Sequence, residues 1–222
     1  MSHPIELIIF DCDGVLVDSE PAACKCLSDY LKSCDIAFSP QEVSERFVGR
    51  SLSSCKAILE DDGWVLPKTF IEDIRQRNLA ALSHDLDPIP GIHAALDTIS
   101  QSVCVASSGL PVKINQSLAL TNLAIYFGPH IFSARHVSNG KPAPDLFLLA
   151  AKTMGALPHN TMVIEDSPVG VEAGLAAGMR VVGFTGGSHA GAQHGTSLRN
   201  LGAHHILDTM LDLPDLIDSY SG

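Results

Sequence analysis

The sequence predicts an α/β fold, a doubly wound parallel sheet with helices on both faces and a helical insert after its first strand. Three observations predict it. Short apolar runs that stop at polar loops recur along the chain. Stretches of helical character, each about ten residues long, separate them, the rhythm of parallel strands joined by crossover helices. Between residues 19 and 86 the rhythm breaks, and helices follow one another with no strand between them.

The first strand is Leu7-Ile8-Ile9-Phe10, which ends at Asp11-Cys12-Asp13-Gly14. A continuous apolar run of this length is a strand buried on both faces. Strands of the same character are predicted at 102–107, 130–133, 161–165 and 180–184, and helices at 92–100, 111–123, 144–154 and 169–177. In the insert, helices are predicted at 20–33, 41–47, 52–60 and 68–83. The chain leaves for the insert near 15–18 and returns at Asp87-Pro88-Ile89-Pro90-Gly91, where two prolines restrict the backbone. The stretch 185–195, rich in Gly, His, Ser and Ala, reads as a surface loop. Gly170, Gly174 and Gly178 recur every fourth residue and place one glycine face of a helix against the sheet.

Composition narrows the function. The chain has 222 residues, 14 Lys+Arg against 25 Asp+Glu, and a formal net charge of −11. Such a surface repels nucleic acid and anionic membranes, so neither is expected as a partner. Hydrophobic residues make up 45% and charged residues 18%, which suits a packed core and excludes global disorder. No apolar run approaches the roughly 18 residues of a membrane span, and residues 1–10 lack the pattern of a signal peptide. A cytoplasmic location and a monomer are expected. The six cysteines have no CxxC spacing, so zinc is not expected, and they read as unpaired.

Ligands of parallel sheets bind beyond the carboxyl ends of the strands. Polar groups fall there four times: Asp11 and Asp13, then Ser107-Ser108-Gly109, then Lys141 in Asn139-Gly140-Lys141-Pro142, then Glu165-Asp166-Ser167. Each alone has a plain reading as a solvated turn, a helix cap or a surface lysine; their convergence is the signal. Carboxylates about 4 Å apart repel by about 4 kcal/mol at an effective dielectric near 20, and a bound cation relieves that. Oxygen ligands alone suit Mg²⁺. A calcium loop needs further acids where Val15 and Ala22 stand, so it fails. Ser107 and the amides after it suit a phosphoryl oxygen at a helix N-terminus. His189, His194, His204 and His205 have no acid or Cys at ligand spacing and are not read as a metal site.

These motifs resemble the haloacid dehalogenase-like superfamily over essentially the whole chain. Its first motif matches Phe10-Asp11-Cys12-Asp13-Gly14-Val15-Leu16-Val17-Asp18-Ser19, its second Ser107, its third Lys141 within residues 140–145, and its fourth Glu165-Asp166-Ser167-Pro168 with Gly170. The resemblance is nearest to the β-phosphoglucomutase-like sugar-phosphate phosphatases, with a 6-phosphogluconate phosphatase type as one candidate. It implies a Rossmann-like phosphatase core over 1–16 and 88–222 and a helical cap domain over 17–87. It implies Asp11 as a nucleophile that becomes an aspartyl-phosphate, and Asp13 as the acid and base. Mg²⁺ would be held by Asp11, the Asp13 carbonyl and Asp166, with Glu165 beside them. Lys141 would offset phosphoryl charge, and Ser107, Ser108 and Gly109 would contact the phosphoryl group.

Departures from the family refine the expectation. Asp13 is an acid where dehalogenases lack one, which disfavours dehalogenation. The mutase branch has a His where Ala23 stands and a basic residue where Leu52 stands, so hydrolysis is preferred to phosphomutase chemistry. Lys56 is the only support for a phosphonate hydrolase. A receiver-like signalling module, also phosphorylated on Asp, lacks the insert and the second acid. Arg46 and Arg50 flank Phe47-Val48-Gly49. Arg50, beside Gly49, is expected to reach a second anionic group on a small phosphorylated metabolite.

Overall fold

The computed structural model describes residues 4–47, 50, 52–81 and 86–220. Leu7–Phe10 (β1) forms because four consecutive apolar side chains can be buried on both faces of a sheet. It pairs in parallel with Ser102–Ser107 (β4), Leu7 opposite Ser102, and with Thr161–Glu165 (β6), Leu7 opposite Thr161. Ile131–Ser133 (β5), Arg180–Phe184 (β7) and His205–Leu207 (β8) complete a parallel sheet of order β5-β4-β1-β6-β7-β8. From β1 the chain winds outward in one direction to β5 and then in the other to β8. The reversal point, where ligands bind in such sheets, therefore lies at β1.

Alternate residues fill the two sides. Leu7 and Ile9 join Cys104, Ala106 and Val163 beneath Asp145–Met154 (α8), Pro168–Ala176 (α9) and His194–Leu201 (α10). Phe10 faces the other way and meets the Phe127 ring edge-on at 6.0 Å. Each fully buried aliphatic side chain contributes about 1.5–3 kcal/mol. Ile92–Thr98 (α5), Pro111–Leu120 (α6), Ala124–Phe127 (α7) and Leu213–Asp218 (α11) are the other α-helices in the part of the chain that carries the sheet.

The chain divides into two compact units, one ending at Asp18 and resuming at Asp87, the other spanning Ser19–Leu86. These limits lie within two residues of the expected 17 and 87. The difference has a cause: Val17–Asp18 (β2) and Asp87–Pro88 (β3) pair antiparallel and stay with the sheet. The helical unit contains Glu20–Lys32 (α1), Pro40–Phe47 (α2), Leu52–Asp61 (α3) and Phe70–Ala81 (α4). Cys24, Leu27 and Leu31 recur at helical spacing and bury against Val43, Phe47, Leu59 and Phe70. Tyr30 packs edge-on to Phe70 at 5.5 Å and donates its hydroxyl to Asp73 Oδ2 at 2.9 Å. No helix among the described residues is long and apolar enough to cross a membrane. All six cysteines are unpaired.

Several elements differ from expectation. The helix expected over 111–123 ends at Leu120, because Asn122 takes φ 57°, and α7 then starts afresh. The strand β8 lacks an apolar run and is held by pairing with β7, Phe184 opposite Leu207. The loop expected over 185–195 gives way to helix α10 at His194. Of the three spaced glycines, only two approach the sheet. A Cβ on Gly174 would stand 2.6 Å from Val181 Cγ2, and one on Gly170 would collide with the Glu165 carboxylate. Gly178 has φ 72° and open space around it, so it ends the helix instead.

Gly174 therefore reverses the usual rule for glycine in a helix. Gly174→Ala gains about 1 kcal/mol of helix propensity but overpacks the contact with β7, at a cost of about 1–3 kcal/mol. A net fall in the denaturant midpoint is expected. Recovery is expected in Gly174→Ala/Val181→Ala, measured by urea unfolding.

Candidate active site

The edge at the end of β1 is built by one tight turn. Leu16 and Val17 both donate to the Cys12 carbonyl, and Gly14 donates to Val17 O at 2.8 Å. Gly14 takes φ 79°, which only glycine adopts without strain. Asp11, whose amide is held by Ile164 O at 3.0 Å, stands at the mouth of the sheet.

Lys141 reaches this edge from the loop after β5. Its ammonium donates to Asp11 Oδ1 at 2.6 Å, Glu165 Oε1 at 2.6 Å and Ala106 O at 3.0 Å. An ammonium has three hydrogens, and these bonds use all of them. The side chain is 2% exposed. Burial alone would lower its pKa, but Asp11 and Glu165 outweigh burial and raise it. Glu165 is fully buried, and its other oxygen accepts from the Ser167 amide and hydroxyl, each at 2.9 Å. Both Glu165 oxygens are thus engaged. Glu165, expected beside the metal ligands, holds Lys141 in place.

Asp11, Glu165 and Asp166 are all buried, with Lys141 the ammonium among them. The imbalance leaves a mark. Burial pushes the Asp11 carboxyl well above the ordinary range, Lys141 opposes this, and Glu165 and Asp166 push it further up. Asp166 is also raised, chiefly by burial, with the nearby His189 opposing.

Asp13 points to a partner that the sequence reading did not single out. Lys113, in the first turn of α6, approaches Asp13 Oδ1 at 2.9 Å and Oδ2 at 2.8 Å. Burial lowers the Lys113 pKa, but the Asp13 carboxylate more than offsets it, and the net shift is upward. The available signal was its place, six residues after Ser107 at the same sheet edge. Ser107 Oγ accepts from the Gly109 amide at 3.1 Å, and the Gly109 carbonyl accepts from Ser133 Oγ at 2.6 Å. Ser107 is buried and Ser108 exposed beside it.

A segment read as a surface loop also belongs to the site. His189 Nε2 lies 2.9 Å from Asp166 Oδ2, and His194 Nε2 lies 2.7 Å from the Asp166 carbonyl. His204 is structural: its Nδ1 accepts from the Val181 amide at 3.1 Å.

Among the described residues no three of His, Cys, Asp and Glu converge as a ready-made cation cluster. The ligands that the family resemblance implies at the β1 edge, the carboxylates of Asp11 and Asp166 and the carbonyl of Asp13, are oxygen donors alone. Oxygen donors and uncompensated buried negative charge fit Mg²⁺, which uses few protein ligands and keeps waters.

In the helical unit, Arg50 is exposed and donates from Nε to Arg46 O at 3.1 Å. It lines a cavity of about 110 Å³ with Glu20, Cys24 and Asn78, and Asn78 Oδ1 is buried without a hydrogen-bond partner. Arg46 pairs with Asp62 and lies over Phe38 and Phe47 at 5.5 Å, a structural role. Gly49, expected beside the substrate, lies outside the described residues.

Comparison with known proteins gives the family. Residues 8–184 match the family model of haloacid dehalogenase-like hydrolases. The 6-phosphogluconate phosphatase of Escherichia coli is 34% identical over 187 residues, 83% of this chain and 85% of its own. A crystal structure of a haloacid dehalogenase-like protein of unknown function from Agrobacterium tumefaciens superposes with a TM-score of 0.90 at 35% identity, covering 98% of this chain and 100% of that one. A hydrolase of the same superfamily from Deinococcus radiodurans, solved with bound phosphate and sodium, gives 0.85 at 28% identity, covering 98% and 97%. The chain belongs to the haloacid dehalogenase-like hydrolases and is a phosphomonoester hydrolase.

Proposed function

We propose that the protein is an Mg²⁺-dependent phosphatase of small sugar phosphates or sugar-acid phosphates that works through a phosphate ester on Asp11. One observation carries the reading: Asp11, at the reversal point of the sheet, is aimed by a Lys141 whose three N–H groups are all committed. The relatives named as phosphatases support the substrate class.

In the first half-reaction an Asp11 oxygen bonds to phosphorus while the bond from phosphorus to the sugar oxygen breaks. Asp13 gives that oxygen its proton. In the second half, Asp13 takes a proton from water as the water oxygen attacks phosphorus. This releases inorganic phosphate and restores Asp11. Lys141 fixes the direction of attack. The Ser107 hydroxyl and the amides at the start of α6 receive phosphoryl oxygens. A bound Mg²⁺, held by Asp11, Asp166 and the Asp13 carbonyl, would offset charge on the phosphoryl group. Hydrolysis is preferred to transfer because Ala23 and Leu52 stand where the mutase branch has a His and a basic residue.

Two variants test the roles. Asp11→Asn is expected to abolish phosphate release from a panel of sugar phosphates, with the circular dichroism melt retained. Activity near wild type would overturn the nucleophile assignment. Asp13→Asn is expected to slow turnover by about 10²–10⁴ and to show a phosphate-sized mass increase after brief substrate exposure. With a hexose 1-phosphate, release of inorganic phosphate supports hydrolysis, whereas an isomeric hexose phosphate would make the protein a mutase.

Arg50 is assigned to a second anionic group on the substrate. Arg50→Ala is expected to raise KM for a carboxylated sugar phosphate about tenfold, the loss of one charged hydrogen bond. KM for p-nitrophenyl phosphate should not change. An equal KM for both substrates before and after substitution would remove this assignment.

A further inference from the structure

The segment between β7 and α10 is shaped around Asp166. Its Gly187 is buried, and the His189 side chain is 9% exposed despite lying in a connecting loop. The imidazole sits in a slot between two glycines. A Cβ on Gly187 would meet His189 Nδ1 and Cε1 at 2.8 Å and the Gly14 carbonyl at 3.0 Å. A Cβ on Gly14 would stand 2.9 Å from His189 Cε1 and 2.0 Å from Asp166 Oδ2. No larger residue at either position leaves room for the ring and the carboxylate together.

The loop is also tied down at other points. Ser188 Oγ donates to Asp18 Oδ1 at 2.7 Å. His194, the first residue of α10, donates from Nε2 to the Asp166 carbonyl at 2.7 Å. The two imidazoles meet edge to face at 5.3 Å. One short segment thus grips Asp166 at both backbone and side chain. His189 lies against Oδ2 at 2.9 Å, on one side of the carboxylate.

We infer that His189 is a positioning residue for the divalent-cation site: its imidazole, with Nε2 2.9 Å from Asp166 Oδ2, pins that oxygen and so presents Oδ1 to Mg²⁺. The inference rests on the proposed role of Asp166 as a metal ligand. A carboxylate free to rotate loses rotamer freedom when it binds a cation. One locked beforehand by a neighbour has already lost it, and such outer partners typically contribute 10–100-fold in metal affinity. Gly14 and Gly187 then have a shared purpose, to make room for the ring that does the locking.

The test is Mg²⁺ binding to the metal-free full-length protein, measured by isothermal titration calorimetry. His189→Ala is expected to raise Kd for Mg²⁺ by 10–100-fold. His189→Gln carries its side-chain N–H at a similar reach and is expected to stay within about threefold of wild type. Gly187→Ala, which fills the slot, is expected to match His189→Ala. The double variant should be no weaker than either single one, since both remove the same contact. Wild-type affinity in His189→Ala, or equal losses in the Ala and Gln variants, overturns the inference. Asp166→Asn separates the two levels. If it abolishes Mg²⁺ binding while His189→Ala does not weaken it, only the role of His189 falls. If Asp166→Asn binds Mg²⁺ like wild type, the metal assignment itself falls.

Discussion

The buried ammonium of Lys141 is the interaction on which the site depends. It joins the end of β1 through Asp11, the β4 backbone through Ala106 and the end of β6 through Glu165. Desolvating an ion costs several kcal/mol, and the cost is recovered only where every hydrogen finds a good acceptor. Here each one does. The same bonds that make the buried charge tolerable hold the Asp11 carboxylate, so stability and its placement come from one arrangement. Glu165 makes this possible. Without its carboxylate, Lys141 would have one acid where it now has two, and Asp11 would be freer to turn.

Close approach by glycine is the second constraint. Gly14 and Gly170 sit where a side chain would occupy the space of Asp166 and Glu165, respectively. The acidic pair at the end of β6 is therefore enclosed by backbone from β1's turn on one side and from the first turn of α9 on the other. Carboxylates packed against bare backbone cannot swing out to solvent to relieve their mutual repulsion. Their charge stays in the site, and burial raises the Asp11 and Asp166 pKa values as a result.

Much of this was legible from residues 7–14, 102–109, 139–142 and 161–167, because short apolar runs ending in polar groups fix both a strand and which of its ends carries chemistry. The insert was legible because helical periodicity continued without a strand. What escaped shares a physical reason. Lys113 lies inside a helix, and nothing local shows that its side chain turns toward Asp13. His189 lies in a stretch whose composition signals only a loop. Both owe their roles to tertiary neighbours many residues away. The roles of Glu165 and Asp166 were not separable for the related reason that adjacent acids look equivalent in a sequence, whereas at the end of a strand successive side chains point to opposite sides. One of the pair turns to Lys141 and the other to His189.

The charge balance at the sheet edge explains why an acidic chain can handle an anionic substrate. Asp11, Asp13, Glu165 and Asp166 face the ammonium groups of Lys113 and Lys141. With all six ionised, two negative charges are left over. A divalent cation cancels them, and a phosphate ester then meets a neutral edge lined with the Ser107 hydroxyl and helix N-terminal amides. Without the cation, the same ester dianion would meet two like charges only a few ångströms away, at about 4 kcal/mol per close pair. The net charge of −11 is spread over the whole molecule, and at these distances the nearest charges outweigh it because salt screens the rest within about 8–10 Å. The proposed dependence on a divalent cation would then be an electrostatic requirement of the fold's own carboxylates, present before any substrate arrives.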